Sequence, residues 1–143
     1  MKPKILLRIA SILMLLHTAG HTMGALTWND APNAAVAQVV KGMETVHFAF
    51  MGRQVTLGLF FSGYGFINIG VLLMITAMLW LLSANGNNNL FSGFTGLLGV
   101  FLVIMAMLEF VYFFAFAAVI SALAGICTLA ALFFKDRVST KTI

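Results

Sequence analysis

Four mostly apolar stretches, each long enough to cross a bilayer, constrain this chain more than any other feature. They run from about Ile5 to Trp28, Leu57 to Leu82, Leu90 to Phe110 and Phe114 to Phe134. A hydrocarbon core about 30 Å thick calls for roughly 20 such residues per helix. Water is excluded as the solvent by the rest of the composition. Of 143 residues, 62% are hydrophobic and 8% charged. A soluble domain of this size exposes much of its surface, and twelve charged side chains cannot cover it. The sequence therefore predicts an all-α integral membrane four-helix bundle in a single domain spanning 1–143.

Turn chemistry separates the spans. Asn29-Asp30-Ala31-Pro32-Asn33 follows the first, and Ser83-Ala84-Asn85-Gly86-Asn87-Asn88-Asn89 follows the second. The third break, placed between Glu109 and Phe114, has neither Pro nor Gly. Lys2, Lys4 and Arg8 precede the first span, and Lys135, Arg137 and Lys141 follow the last. Basic residues favour the cytoplasmic side, so both termini are expected there, as an even number of spans requires. Trp28 and Trp80 fall at the expected interfaces. The basic start and apolar middle of the first span are shared with signal peptides. However, Arg8 interrupts it early, and His17 and His21 stand where a cleavage region would be, so the segment is read as a retained span.

Between the first two spans, Val36, Val40, Met43, His47 and Phe50 recur at helical spacing, with Gln38, Lys41 and Thr45 opposite. This predicts an additional extracytoplasmic amphipathic helix over about 34–52, capped by Asn33 and lying at the membrane boundary. Small residues at four-residue spacing predict close helix approaches: Gly20 with Gly24, Gly58 with Ser62 through Gly65, Ser92 with Gly96, and Ala117 with Ser121 and Gly125.

Chemistry is expected in one polar cluster. His17 and His21 are four residues apart and share a helix face with Gly20 and Gly24. Tyr64, Asn68 and Glu109 belong to the same half of the other spans, and Glu44 and His47 to the boundary helix. Ionisable groups within a membrane are costly and mark function. Neutral histidines that hydrogen-bond between helices would make the protein a structural or partner-binding bundle. Alternatively, His17 and His21 could ligate a transition metal or a haem in a membrane redox protein. A third reading makes the cluster the acid–base site of a lipid- or quinone-active enzyme. No particular residue is identified as catalytic. The expected partners are the lipid bilayer and a second copy or a membrane protein. Cys127 is the sole cysteine and reads as an inert buried thiol. No basic patch with interleaved aromatics supports nucleic-acid binding.

The runs His17-Thr18-Ala19-Gly20-His21-Thr22, Ser62-Gly63-Tyr64-Gly65-Phe66 and Glu109-Phe110-Val111-Tyr112-Phe113-Phe114 resemble those of small bacterial four-span inner-membrane proteins. In size and layout the chain is similar to the DoxX-like group. The resemblance implies a bacterial inner membrane and a four-helix membrane fold, and it carries no catalytic residue over.

Overall fold

The structure is a computed structural model that describes residues 3–84 and 89–134. Its elements, in chain order, are α1 (Pro3–Leu26), α2 (Ala34–Thr45), β1 (Phe48–Phe50), β2 (Arg53–Val55), α3 (Leu57–Ala84), α4 (Asn89–Tyr112) and α5 (Ala115–Phe133). Among the described residues four helices have the length and composition to cross a membrane: α1, α3, α4 from Phe91 onward, and α5. The four-span expectation holds at that level, making this a multi-pass membrane protein. The segment 85–88 and the residues Lys2, Lys135, Arg137 and Lys141, on which the predicted orientation rests, lie outside the described residues.

The third break falls within the predicted window. The Phe113 N–H closes on the Glu109 carbonyl at 2.9 Å, and Phe114 adopts an extended conformation before α5 begins. A two-residue link reverses the chain here without Pro or Gly. The two helices it joins pack closely against each other.

The segment after α1 departs from the all-α expectation. Asn33 caps α2 as anticipated, its side-chain oxygen accepting from the Val36 N–H at 3.0 Å. The helix nevertheless ends at Thr45 rather than near residue 52, and Val46 is extended. Residues 48–55 form an antiparallel hairpin that pairs Phe48 with Val55 and Phe50 with Arg53. Its two-residue turn is Met51-Gly52, with φ of 49° and 80°. Two consecutive positive φ values match the twist of a tight hairpin, and Gly supplies the second at no steric cost. His47 and Phe50, placed on the helical stripe by spacing alone, therefore lie beyond α2. Phe60 of α3 meets the hairpin, with ring centroids 6.1 Å from Phe48 and 5.3 Å from Phe50. No side chain of α2 is buried.

The described chain groups into two compact units, one holding the chain up to His17 and from Leu73 onward, the other Thr18–Leu72. In the first, the core is Leu7, Ala10 and Met14 of α1, Leu79 of α3, Leu102 of α4, and Ser121, Ala124, Thr128 and Ala131 of α5. Hydrocarbon removes most of the hydrophobic gain on packing apolar helices together, so close backbone approach matters more. A Cβ added at Gly125 would lie 3.0 Å from Val103 Cγ2 and 3.2 Å from Leu102 Cβ, and one at Gly99 only 2.7 Å from Leu129. The predicted stripe Ala117–Ser121–Gly125 is thus the surface that meets α4. Gly99 does the same from the α4 side, with Thr95 four residues before it. Ser11 of α1 donates to the Thr76 carbonyl of α3 at 2.9 Å, and the Arg8 guanidinium stands 5.0 Å from the Trp80 ring centroid.

In the second unit, a Cβ at Gly65 would meet Ala25 at 3.1 Å, and one at Gly58 would meet the Met43 carbonyl and the Trp28 ring at 3.2 Å. Trp28 Nε1 donates to Ser62 Oγ at 3.1 Å. Gly20 and Gly24 do not make the approach predicted for them. Both are exposed, and a Cβ on either would meet nothing within 4 Å.

Candidate functional site

In the first unit, three polar side chains meet at the Tyr112 end of α4, apart from the buried Ser11, Ser83, Thr95 and Thr128. The α1 periodicity that buries Leu7, Ala10 and Met14 brings His17 to the same inner face, where it is 7% exposed. From α5, Ser121 enters on the close-packing stripe between Ala117 and Gly125 and is fully buried. Glu109 comes from the last turn of α4, with its side chain 12% exposed. The imidazole bridges the other two. Nδ1 is 3.0 Å from Ser121 Oγ, and Nε2 is 3.4 Å from Glu109 Oε1. The second carboxylate oxygen, Oε2, is buried and has no hydrogen-bond partner. Three residues from α1, α4 and α5 therefore form a single chain of contacts with both ring nitrogens in use.

The other predicted members of the cluster belong to the second unit. His21 is half-buried in the second unit, where its Nε2 donates to the Gly65 carbonyl at 3.3 Å. Glu44 is exposed and accepts from Asn29 Nδ2 at 3.2 Å. His47 is exposed and turns its Nδ1 back to the Thr45 carbonyl at 2.9 Å, because α2 has already ended. Tyr64 is 67% exposed, and Asn68 is exposed as well. Of seven candidates, the structure joins His17 and Glu109 within the first unit, and the other five belong to the second.

Ser121 is the member that sequence reasoning did not place in the site. Its signal was present in another form, as the central residue of the small stripe. A hydroxyl on the surface that lets two helices touch is the polar atom best placed to reach across. Thr128, two turns further along α5, satisfies itself instead by donating to the Ala124 carbonyl at 2.7 Å.

Among the described residues no three His, Cys, Asp or Glu side chains are grouped as a metal site requires. A groove of about 500 Å³ also runs along α4 and α5, lined by apolar side chains that include Val103, Met107, Phe110, Ala118 and Val119. Glu109, His17 and Ser121 are not part of its lining. No family model, curated protein or solved structure matches the chain.

Proposed function

We propose that the protein is a structural or partner-binding helical bundle, in which the Ser121–His17–Glu109 chain acts as a polar lock between α1, α4 and α5. The observation that carries this reading is the engagement of both His17 ring nitrogens by side chains of other helices. In hydrocarbon a polar side chain has no water to fall back on, so interhelical hydrogen bonds fix which helices meet and in what register. A metal or haem at His17 would have to displace Ser121 or Glu109 from the ring.

The same proposal places the protein in a bacterial inner membrane with both termini cytoplasmic. Support comes from the even number of candidate spans and from the basic residues flanking the first and last. In that orientation α2 and the hairpin lie at the extracytoplasmic boundary. Reporter fusions at the two termini test it, and a C-terminus reporting from the opposite side to the N-terminus contradicts it.

The lock itself is tested on full-length protein purified in detergent, by absorption spectroscopy, metal analysis and thermal unfolding. The expected outcome is a spectrum without a Soret band, no stoichiometric metal, and a lower unfolding midpoint for His17→Ala. A Soret band or one metal per chain that His17→Ala abolishes would replace the lock with a cofactor site.

A further inference from the structure

The lock contains one acid, one base and one hydroxyl, and its protons can be counted. α1 faces it with His17, α4 with Glu109 and α5 with Ser121, while the α3 segment from Leu73 to Ala84 carries no titratable side chain. Cys127 is six residues beyond Ser121, and Arg8 is nine residues before His17 and occupied at Trp80. Tyr112, three residues after Glu109, is exposed. Among the described residues of this unit, His17 is the side chain in contact with Glu109 that can carry a balancing positive charge.

Consider first a neutral imidazole beside an ionised carboxylate. Ser121 then donates to Nδ1, and Nε2–H donates to Oε1. Oε2 keeps half of a full negative charge, buried and without a donor. That is the costly arrangement in a medium of low dielectric, where an unpaired ion loses far more than a neutral polar group does. Adding one proton removes the cost while the heavy atoms keep their contacts, the ring proton passing from Nε2 to Nδ1 and the Ser121 hydroxyl turning away. Oε1–H donates to Nε2, Nδ1–H donates to Ser121 Oγ, and Oε2 becomes the carbonyl oxygen of a neutral acid. Transfer of that proton to Nε2 gives an imidazolium–carboxylate pair over the same contacts, again with no net charge.

We propose that His17 and Glu109 form a proton-binding site within the membrane-spanning region, holding one proton on the line between Nε2 and Oε1 so that the cluster is electrically neutral. The ligand is a proton exchanged with water. Its arrival turns Ser121 from donor to acceptor at Nδ1, and its loss leaves an ionised carboxylate whose buried Oε2 has no hydrogen-bond partner. The inference rests on the lock reading for the placing of the three side chains, and it adds their protonation state.

The test is magnetic resonance at pH 7.5 on full-length protein in lipid nanodiscs, with carbon-labelled glutamate and nitrogen-labelled histidine. Glu109 and Glu44 are the chain's two glutamates, so Glu44→Gln leaves Glu109 as the sole signal. Replacing His21 and His47 by Gln likewise isolates His17. All three substituted residues belong to the other unit. The expected result is one proton shared by the pair: a protonated carboxyl with a neutral ring, or a carboxylate with an imidazolium. A neutral ring together with an ionised carboxyl overturns the proposal, as does a doubly protonated pair. The lock has its own readout in the unfolding midpoint of His17→Ala. An unchanged midpoint would sink the lock, whereas the resonance result alone decides the proton.

Discussion

The two compact units treat their polar residues in opposite ways. In the unit built on α4 and α5, His17, Glu109 and Ser121 are drawn from three helices into one connected group. In the unit from Thr18 to Leu72, His21 bonds a helix carbonyl, His47 bonds the chain two residues back, Glu44 bonds an exposed Asn29, and Tyr64 and Asn68 stay exposed. Both units were expected to contribute to a single cluster on grounds of depth in the membrane. In the first unit the convergence lies on the stripe that holds Ser121 and the close approach at Gly125, whereas in the second the close approaches at Gly58 and Gly65 bring together no such group, and Gly20 and Gly24 face open space.

That contrast can be attacked by substitution, and His17→Ala should have the largest effect. It takes the imidazole away from both Glu109 and Ser121, and removing one member of a buried pair costs on the order of 3 kcal/mol. Unfolding in detergent–lipid micelles should show it. His21→Ala loses a single long bond to a carbonyl that the α3 ladder already uses, and it should cost about 0.6 kcal/mol, the average for interhelical bonds in lipid. Equal effects at the two histidines would erase the distinction between the units.

Gly125→Leu comes next. A side chain there meets Val103 and Leu102, and overpacking of this kind costs about 1–3 kcal/mol. Gly20→Leu meets nothing and should leave the unfolding midpoint in place or raise it, since Leu is the better helix former. Ser121→Ala, which removes one hydrogen bond from a buried ring, should cost about 1 kcal/mol. Tyr64→Phe and Asn68→Leu form the far end of the series and should leave stability unchanged. A loss at either comparable to that of His17→Ala would show that the second unit holds a polar contact of its own.

Most of the fold was legible in the sequence because hydrocarbon imposes a simple rule, that a span needs length and must lack charge. The boundaries of α1, α3, α4 and α5 follow the apolar runs within two residues at most ends. Asn33 was legible as a cap because its side chain offers an acceptor to the open N–H groups of the first turn. The hairpin was not, because Val36, Val40 and Met43 set a helical rhythm that His47 and Phe50 continue by coincidence. The contrary signal was Gly52 between two short runs containing Phe48, Phe50 and Val55. Within the site, His17 and Glu109 were legible as ionisable groups inside spans. Their partner Ser121 was legible only as a small residue. Helical spacing identifies which residues share a face, but it does not identify the face a neighbouring helix will meet, and Tyr64 and Asn68 are exposed.

The account stands or falls on whether His17 and Glu109 act on each other through the contact at 3.4 Å. A double-mutant cycle measures that directly, using reversible unfolding of wild type, His17→Ala, Glu109→Ala and the double variant in one lipid environment. A coupling of about 1 kcal/mol or more, with the second substitution costing much less once the first is made, is the predicted result. Strictly additive losses would mean that the two side chains lie side by side without holding the helices together, and would contradict the account.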